Sequence, residues 1–270
     1  MLLQSESSPN TWAPINVRQR RSVLLVGAVG SLVGSCALVV GLVVGLAWYL
    51  AVALFVLLGV LAGVVMQRMA WVVALRLLGG REPQLVAEES LNTALEGLCL
   101  SHGLPMPQVR LIHAEAPNAL AVARSGEQAA IVITTGMLEQ LERIELEGVL
   151  AHLLCRIRRG DAAFDTLAGV LMAWPLAKLP SLRHKIMNKV VPAGRSLQAD
   201  FDSVVLTRYP PGLLRALNAI AAWPDSCHCA SVPSQTVIAL HIWIHGPDWG
   251  IGDTIRHPSL CTRIAALGEL

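Results

Sequence analysis

L-E-G-V-L-A-H-L-L-C-R-I-R-R-G-D, from Leu146 to Asp161, is the stretch on which the fold turns. It belongs to a helix that the apolar spacing predicts from about Ile144 to Arg159, carrying Ile144, Leu146, Val149, Leu150, Leu153, Leu154 and Ile157. These side chains fall on more than one side of the helix, so it belongs inside a domain. His152 and Arg156, one turn apart, therefore stand in or beside a core. Upstream, Val109 to Ile112, Leu120 to Ala123 and Ala129 to Thr134 are short β-branched runs that predict a small sheet. Leu85 to His102 has helical periodicity, broken by Gly103-Leu-Pro-Met-Pro. Thr135 is placed to cap a short helix through Gln140. Downstream, Ser196 to Thr207 and Gly212 to Ala222 read as helices, and a final short helix follows His257-Pro258. Leu167 to Leu176, interrupted by Pro175, is too short to span a bilayer and reads as core or interfacial. The fold class is α+β and mainly helical.

Further out lies a segment of different character. Hydrophobic residues make up 54% of the chain, and the mean hydropathy is +0.55. The excess is concentrated between Ser22 and Met66, where there is no charged residue. A bilayer core takes roughly 20 apolar residues per helix, and this run is about twice that, which predicts two spans. The turn is expected between Gly41 and Tyr49, with Trp48 and Tyr49 at the far interface. Gly30/Gly34, Gly41/Gly45 and Gly59/Gly63 are spaced four apart, allowing close approach of helices, either within the hairpin or to a partner. Arg18, Arg20 and Arg21 precede the run, and Arg68, Arg76 and Arg81 follow it. By the positive-inside bias, both ends and the soluble domain are expected in the cytoplasm. The six cysteines then lie in a reducing compartment and are not read as a disulfide framework. A net charge of +2 with no basic block gives no sign of nucleic-acid binding. The expected organisation is a polar tail (1–21), a transmembrane hairpin (22–66), a juxtamembrane helix and linker (67–84) and a domain from 85 to 270.

Four pieces of that domain, in order, resemble the HtpX-like membrane zinc metallopeptidases, which include the prenyl-protein endopeptidases. A-P-N-A-L-A-V-A-R (Ala116 to Arg124), followed by A-A-I-V-I-T-T-G-M-L (Ala129 to Leu138), is similar to the family's P-N-A-F-A-x-G-R strand and V-T-x-G-L-L helix start. The opening stretch is similar to L-x-G-V-L-A-H-E-L-A-H-I-x-N-R-D. R-S-L-Q-A-D (Arg195 to Asp200) stands for R-E-F-x-A-D, and H-P-S-L-C-T-R-I-A-A-L (His257 to Leu267) for H-P-P-L-x-x-R-I-x-x-L. The resemblance runs from about residue 20 to 267. It implies a zincin-type domain on a bacterial inner or plasma membrane.

The departures fall on the catalytic letters. Such a peptidase needs two histidines at i and i+4 to hold Zn²⁺, and a glutamate beside the first as general base. A carboxylate from a later helix completes the ligands. Here the first histidine remains as His152, the base position is Leu153, the second ligand position is Arg156 and the third is Ser196. A guanidinium has no lone pair to offer and stays charged. The resemblance implies that Asn118 and His257 would lie near a bound peptide, and that Asp200 would support the site; Asp161 is a neighbour, and both aspartates also read as helix-end or salt-bridge residues. With no cation to balance it, Asp200 is expected to pair with Arg156.

One other cluster, Cys227, Cys229, His241 and His245, contains metal-ligand types. Cys-x-Cys is not the usual C-x₂-C spacing. If His241 to His245 is a strand, its ends are roughly 13 Å apart, too far to share one ion. The expectation is therefore no catalytic residue, no metal and no cofactor. It describes a membrane-anchored pseudopeptidase acting as a binding, regulatory or assembly subunit, with the bilayer, a membrane protein and an extended peptide as partners. Two rivals remain. One is an active metalloendopeptidase whose zinc site is displaced to His152, His257 or the Cys227–His245 cluster. The other is a structural subunit acting through its glycine-rich hairpin.

Overall fold

The computed structural model describes residues 16–45, 47–83, 86–125, 127–173, 194–223, 243–244 and 260–270. Two long helices lead: α1 (Asn16–Val43) and α2 (Trp48–Leu78). Both are long and apolar enough to cross a membrane. Their contact is made by glycine. A Cβ on Gly30 would lie 2.6 Å from the Gly59 carbonyl oxygen, and one on Gly59 would lie 2.8 Å from that of Gly30. A Cβ on Gly34 would meet the Phe55 ring, and one on Gly63 would meet Val26. The pairs run in opposite directions along the two helices, so the glycine stripe is spent on closing an antiparallel hairpin. Leu32, Val39, Leu57, Val60 and Leu61 point outward and are more than half exposed, except where lipid would cover them.

At about 1.5 Å per residue, α2 is about 46 Å long, well beyond the roughly 30 Å apolar core of a bilayer. Its last turns lie on the domain: Ala74 and Leu78 are buried with Ile112, Leu120, Val122 and Val132 on one face of the sheet. Gly79 and Gly80 end the helix in left-handed conformations (φ +65° and +89°).

After α3 (Val86–His102) come β1 (Gln108–Ile112), β2 (Ala119–Ala123) and β3 (Ala129–Thr134). The strand order is β1-β3-β2. β1 runs parallel to β3 with Val109 opposite Ile131, and β2 runs antiparallel to it with Ala121 opposite Ile131. Strand alternation divides the side chains between two cores. Leu111, Ala121, Ile131 and Ile133 face the main core, while Leu120, Val122 and Val132 face α2. Both outer edges are covered by the chain itself: Arg81 pairs with Leu111 on β1, and Trp243 pairs with Leu120 on β2.

The short helix α4 (Thr135–Gln140) is capped one residue earlier than the pattern suggests. The Thr134 hydroxyl accepts from the Met137 N–H, while the Thr135 hydroxyl accepts from Ala114 N–H at 3.2 Å. The side chain of Thr135 is thus spent on the preceding loop, and the cap passes to its neighbour. The buried helix α5 (Arg143–Arg158) starts at Glu142, whose N–H donates to Glu145 Oε2 at 3.0 Å. A left-handed Gly160 (φ +74°) turns the chain into α6 (Asp161–Ala173), which packs on α1, α2 and β2. Then follow α7 (Arg195–Thr207), α8 (Pro210–Ala222) and α9 (Leu260–Gly268).

α5 runs between β2 and the pair α7 and α8. Gly148 permits this, because a Cβ there would lie 2.6 Å from the Leu213 backbone nitrogen. Gly148→Ala is expected to push α5 and α8 apart and cost about 1–3 kcal/mol. Denaturant titration in detergent checks this against wild type.

Candidate functional site

The motif positions come from two helices. α5 brings His152, Leu153 and Arg156; α7 brings Ser196 and Asp200. All five are buried. Leu153 belongs to the main apolar core.

His152 and Asp200 meet, with Nδ1 2.7 Å from Oδ1. The two groups are in close electrostatic contact. Asp200 is fully buried and is gripped by Arg263 of α9, whose Nε donates to Oδ2 and Nη2 to Oδ1, both at 2.7 Å. The third branch, Nη1, donates to the Ile244 carbonyl at 3.0 Å. Burial alone would raise the Asp200 pKa; the charge and hydrogen bonds of Arg263, with His152, outweigh it and hold the group at about 2. Burial lowers the His152 pKa, and the nearby Arg263 and Arg156 add to this, against the opposing pull of Asp200. The imidazole is therefore neutral at physiological pH.

Arg156 does not take the expected partner. Its Nη2 donates to Asp165 Oδ2 of α6 at 2.8 Å, while Asp200 goes to Arg263 and His152. The reason is geometric. The tight turn at Gly160 folds α6 back, placing Asp161 and Asp165 on successive turns beside the arginines of α5. Arg195 donates from Nη2 to Asp165 Oδ1 at 2.5 Å, lies 3.6 Å from Asp161 through Nη1, and stacks 5.2 Å above the Phe164 ring. Arg159 lies 3.7 Å from Asp161, donates to Gln198 Oε1 at 2.6 Å and pairs with Asp202. Ion pairs thus join α5, α6 and α7.

Asn118 is buried at the start of β2. Its Oδ1 accepts from the Ala119 N–H at 3.0 Å, and its own N–H donates to Thr134 Oγ1 at 2.9 Å. The candidates Cys227, Cys229, His241, His245 and His257 lie outside the described residues. Among the described residues, no three His, Cys, Asp or Glu side chains converge. A surface cavity of about 220 Å³, bordered by Ile144, Glu147, Gly148, Thr207 and Tyr209, has none of His152, Leu153, Arg156, Ser196 and Asp200 in its wall. Several participants escaped the sequence reading: Asp165 and Asp202, which no motif marks, and Arg159, Arg195 and Arg263, which stand inside the quoted motifs but were not singled out.

The described residues join an apolar helical hairpin to a three-stranded mixed sheet and packed helices that bury charged groups. The profile of Peptidase family M48 matches residues 86–270, and the chain belongs to that family. It is 27% identical over 180 residues to a protein called Protease HtpX homolog from Dictyoglomus thermophilum, covering 55% of this chain and 59% of the relative. It is 29% identical over 217 residues to the one from Campylobacter curvus (67% and 74%), and 28% identical over 220 residues to one from Listeria monocytogenes serotype 4b (65% and 72%). The chain is HtpX-like, and its match spans about three fifths of the length of the Dictyoglomus relative. No solved structure matches it.

Arg156→Ala leaves Asp165 buried with one partner fewer and is expected to cost about 3 kcal/mol, read by denaturant titration. A second expectation concerns acid. His152 has a folded-state pKa below its unfolded value, so below about pH 6.5 the unfolded chain binds the proton more readily and stability falls as pH drops. Stability measured from pH 8 to 5 should show this slope in wild type and a shallower one in His152→Gln.

Proposed function

We propose that this chain is a membrane-anchored, HtpX-like member of Peptidase family M48 that binds rather than hydrolyses, serving as a regulatory or assembly subunit beside a membrane protein. The observation that carries the reading is Arg156. It stands where the family's second histidine would bind zinc, is buried, and is engaged with Asp165. The four motif positions hold one imidazole, a leucine, a guanidinium and a serine hydroxyl. This set does not fit a zinc ion held by three protein ligands with a carboxylate base. A fixed cation one turn from His152 also repels a divalent ion, and burial strengthens that repulsion. No hydrolytic step is therefore derived for these residues.

The arginines flanking the apolar helices support a cytoplasmic soluble domain. Gly30, Gly34, Gly59 and Gly63 are spent within the hairpin, which favours partner contact through the domain over contact through the glycine stripe. An extended peptide is the ligand best matched to the sheet.

Elemental mass spectrometry of the detergent-purified protein, with His152→Ala as control, tests the reading. Zinc far below one equivalent, with no casein cleavage above the control, is the expected result. Near-stoichiometric zinc that disappears in His152→Ala would reverse it and bring forward a hydrolase with other ligands.

A further inference from the structure

β2 is an edge strand of the sheet, since the order is β1-β3-β2. The Asn118 carbonyl accepts from Thr134 N–H on the β3 side, so by alternation the backbone groups of Ala119, Ala121 and Ala123 point outward. That outer edge is the natural place for an extended peptide to add as a further strand. It is already taken. Ile244 N–H donates to the Ala119 carbonyl at 2.9 Å, and Trp243 forms an antiparallel bridge with Leu120. At the other end, Ala123 N–H donates to Thr166 Oγ1 of α6 at 3.1 Å.

The two residues behave as a bound peptide would. Their side chains go to opposite faces: Trp243 into the cluster with Leu78, Leu120 and Val122, and Ile244 into the main core. One feature weakens the occupied state, and another sets what must let go for the pair to leave. The Trp243 indole N–H is buried without a hydrogen-bond partner, which penalises the occupied state. The Ile244 carbonyl is held by the same guanidinium that grips Asp200, so one side chain clasps the pair to the motif centre.

We infer that the outer edge of β2 is a peptide-binding edge that the chain occupies itself, with Trp243 and Ile244 standing where an extended apolar peptide would lie. The external ligand is an extended segment with a large aromatic residue followed by a β-branched one. It binds to the fraction of molecules in which the pair has left the edge. This rests on the binding role proposed above and adds its ligand and its regulation.

The test uses the full chain in detergent and a fluorescein-labelled peptide, ALHIWIHG, which copies residues 239–246. Trp243→Ala vacates the aromatic position for the peptide's own tryptophan. Arg263→Lys keeps a cation near Asp200 but loses the fork, and it decides the matter if Trp243→Ala does not fold. Apparent affinity scales with the fraction of open molecules, so anisotropy should show weak binding to wild type and at least roughly tenfold tighter binding to the variants. Equal affinity of wild type and folded variants would overturn the self-occupied edge and leave a binding role standing. No binding to any of them would overturn both this inference and the peptide form of that role. Tighter binding accompanied by cleavage would support the inference while sinking the non-catalytic reading.

Discussion

Asp200 sits where four parts of the chain meet. It is a carboxylate with no exposed surface, and a charge in that position is tolerated only if its oxygens are fully engaged. Arg263 supplies both hydrogen bonds from a helix 63 residues away, His152 adds its imidazole edge, and the third branch of the guanidinium reaches Ile244. Planar, five-donor geometry is what lets one side chain serve a carboxylate and a carbonyl together. Removing the guanidinium would therefore loosen α9, free the residue pair on the β2 edge and leave His152 facing an uncompensated charge.

A second set of buried charges ties this centre to the membrane side of the molecule. α6 begins with Asp161 and Asp165, which hold the arginines of α5 and α7, and continues against α1, α2 and β2. α2, in turn, packs its last turns on the far face of the sheet. Helix, sheet and hairpin are thus one packed body, and the edge of β2 lies between the motif centre and the membrane helices. Buried ion pairs add little net stability because desolvation offsets their attraction, but breaking one is costly. Their contribution here is positional: each arginine has a carboxylate on a different helix, which defines how α5, α6 and α7 sit.

Much of this was legible in the residues alone. The two membrane helices follow from an uncharged apolar run, the three strands from β-branched runs, and the buried α5 from apolar residues on several sides. The four family-like pieces placed His152, Arg156, Ser196 and Asp200 near one another. What escaped were partnerships that only tertiary geometry decides. Arg156 has two aspartates within plausible reach in sequence terms, and the choice of Asp165 depends on the turn at Gly160 and on Arg263 having taken Asp200. The cap at Thr134 was missed by one residue because Thr135 has equal capping chemistry but is drawn to Ala114. Ile242, Trp243 and Ile244 read as a buried strand, but nothing in the sequence says that Trp243 would pair with the outer edge of β2.

The pattern of charges gives the strongest reason to read the substitutions together. Among the groups described, Arg156, Arg159 and Arg195 face Asp161, Asp165 and Asp202, and Arg263 faces Asp200, while His152 is neutral. Each of these arginines faces a carboxylate. On the proposed binding role, a divalent ion entering this arrangement would have to displace an arginine that is itself paired. Restoring a histidine at position 156 alone would not reverse this, because Asp165 would lose one of its two arginines at the same moment. The position of the base tells the same story from the apolar side: Leu153 is packed into the core, so a glutamate there would need both space and a partner. On the binding role proposed above, the arginines and the acidic residues of α6 form one electrostatic solution that sets how α5, α6 and α7 sit.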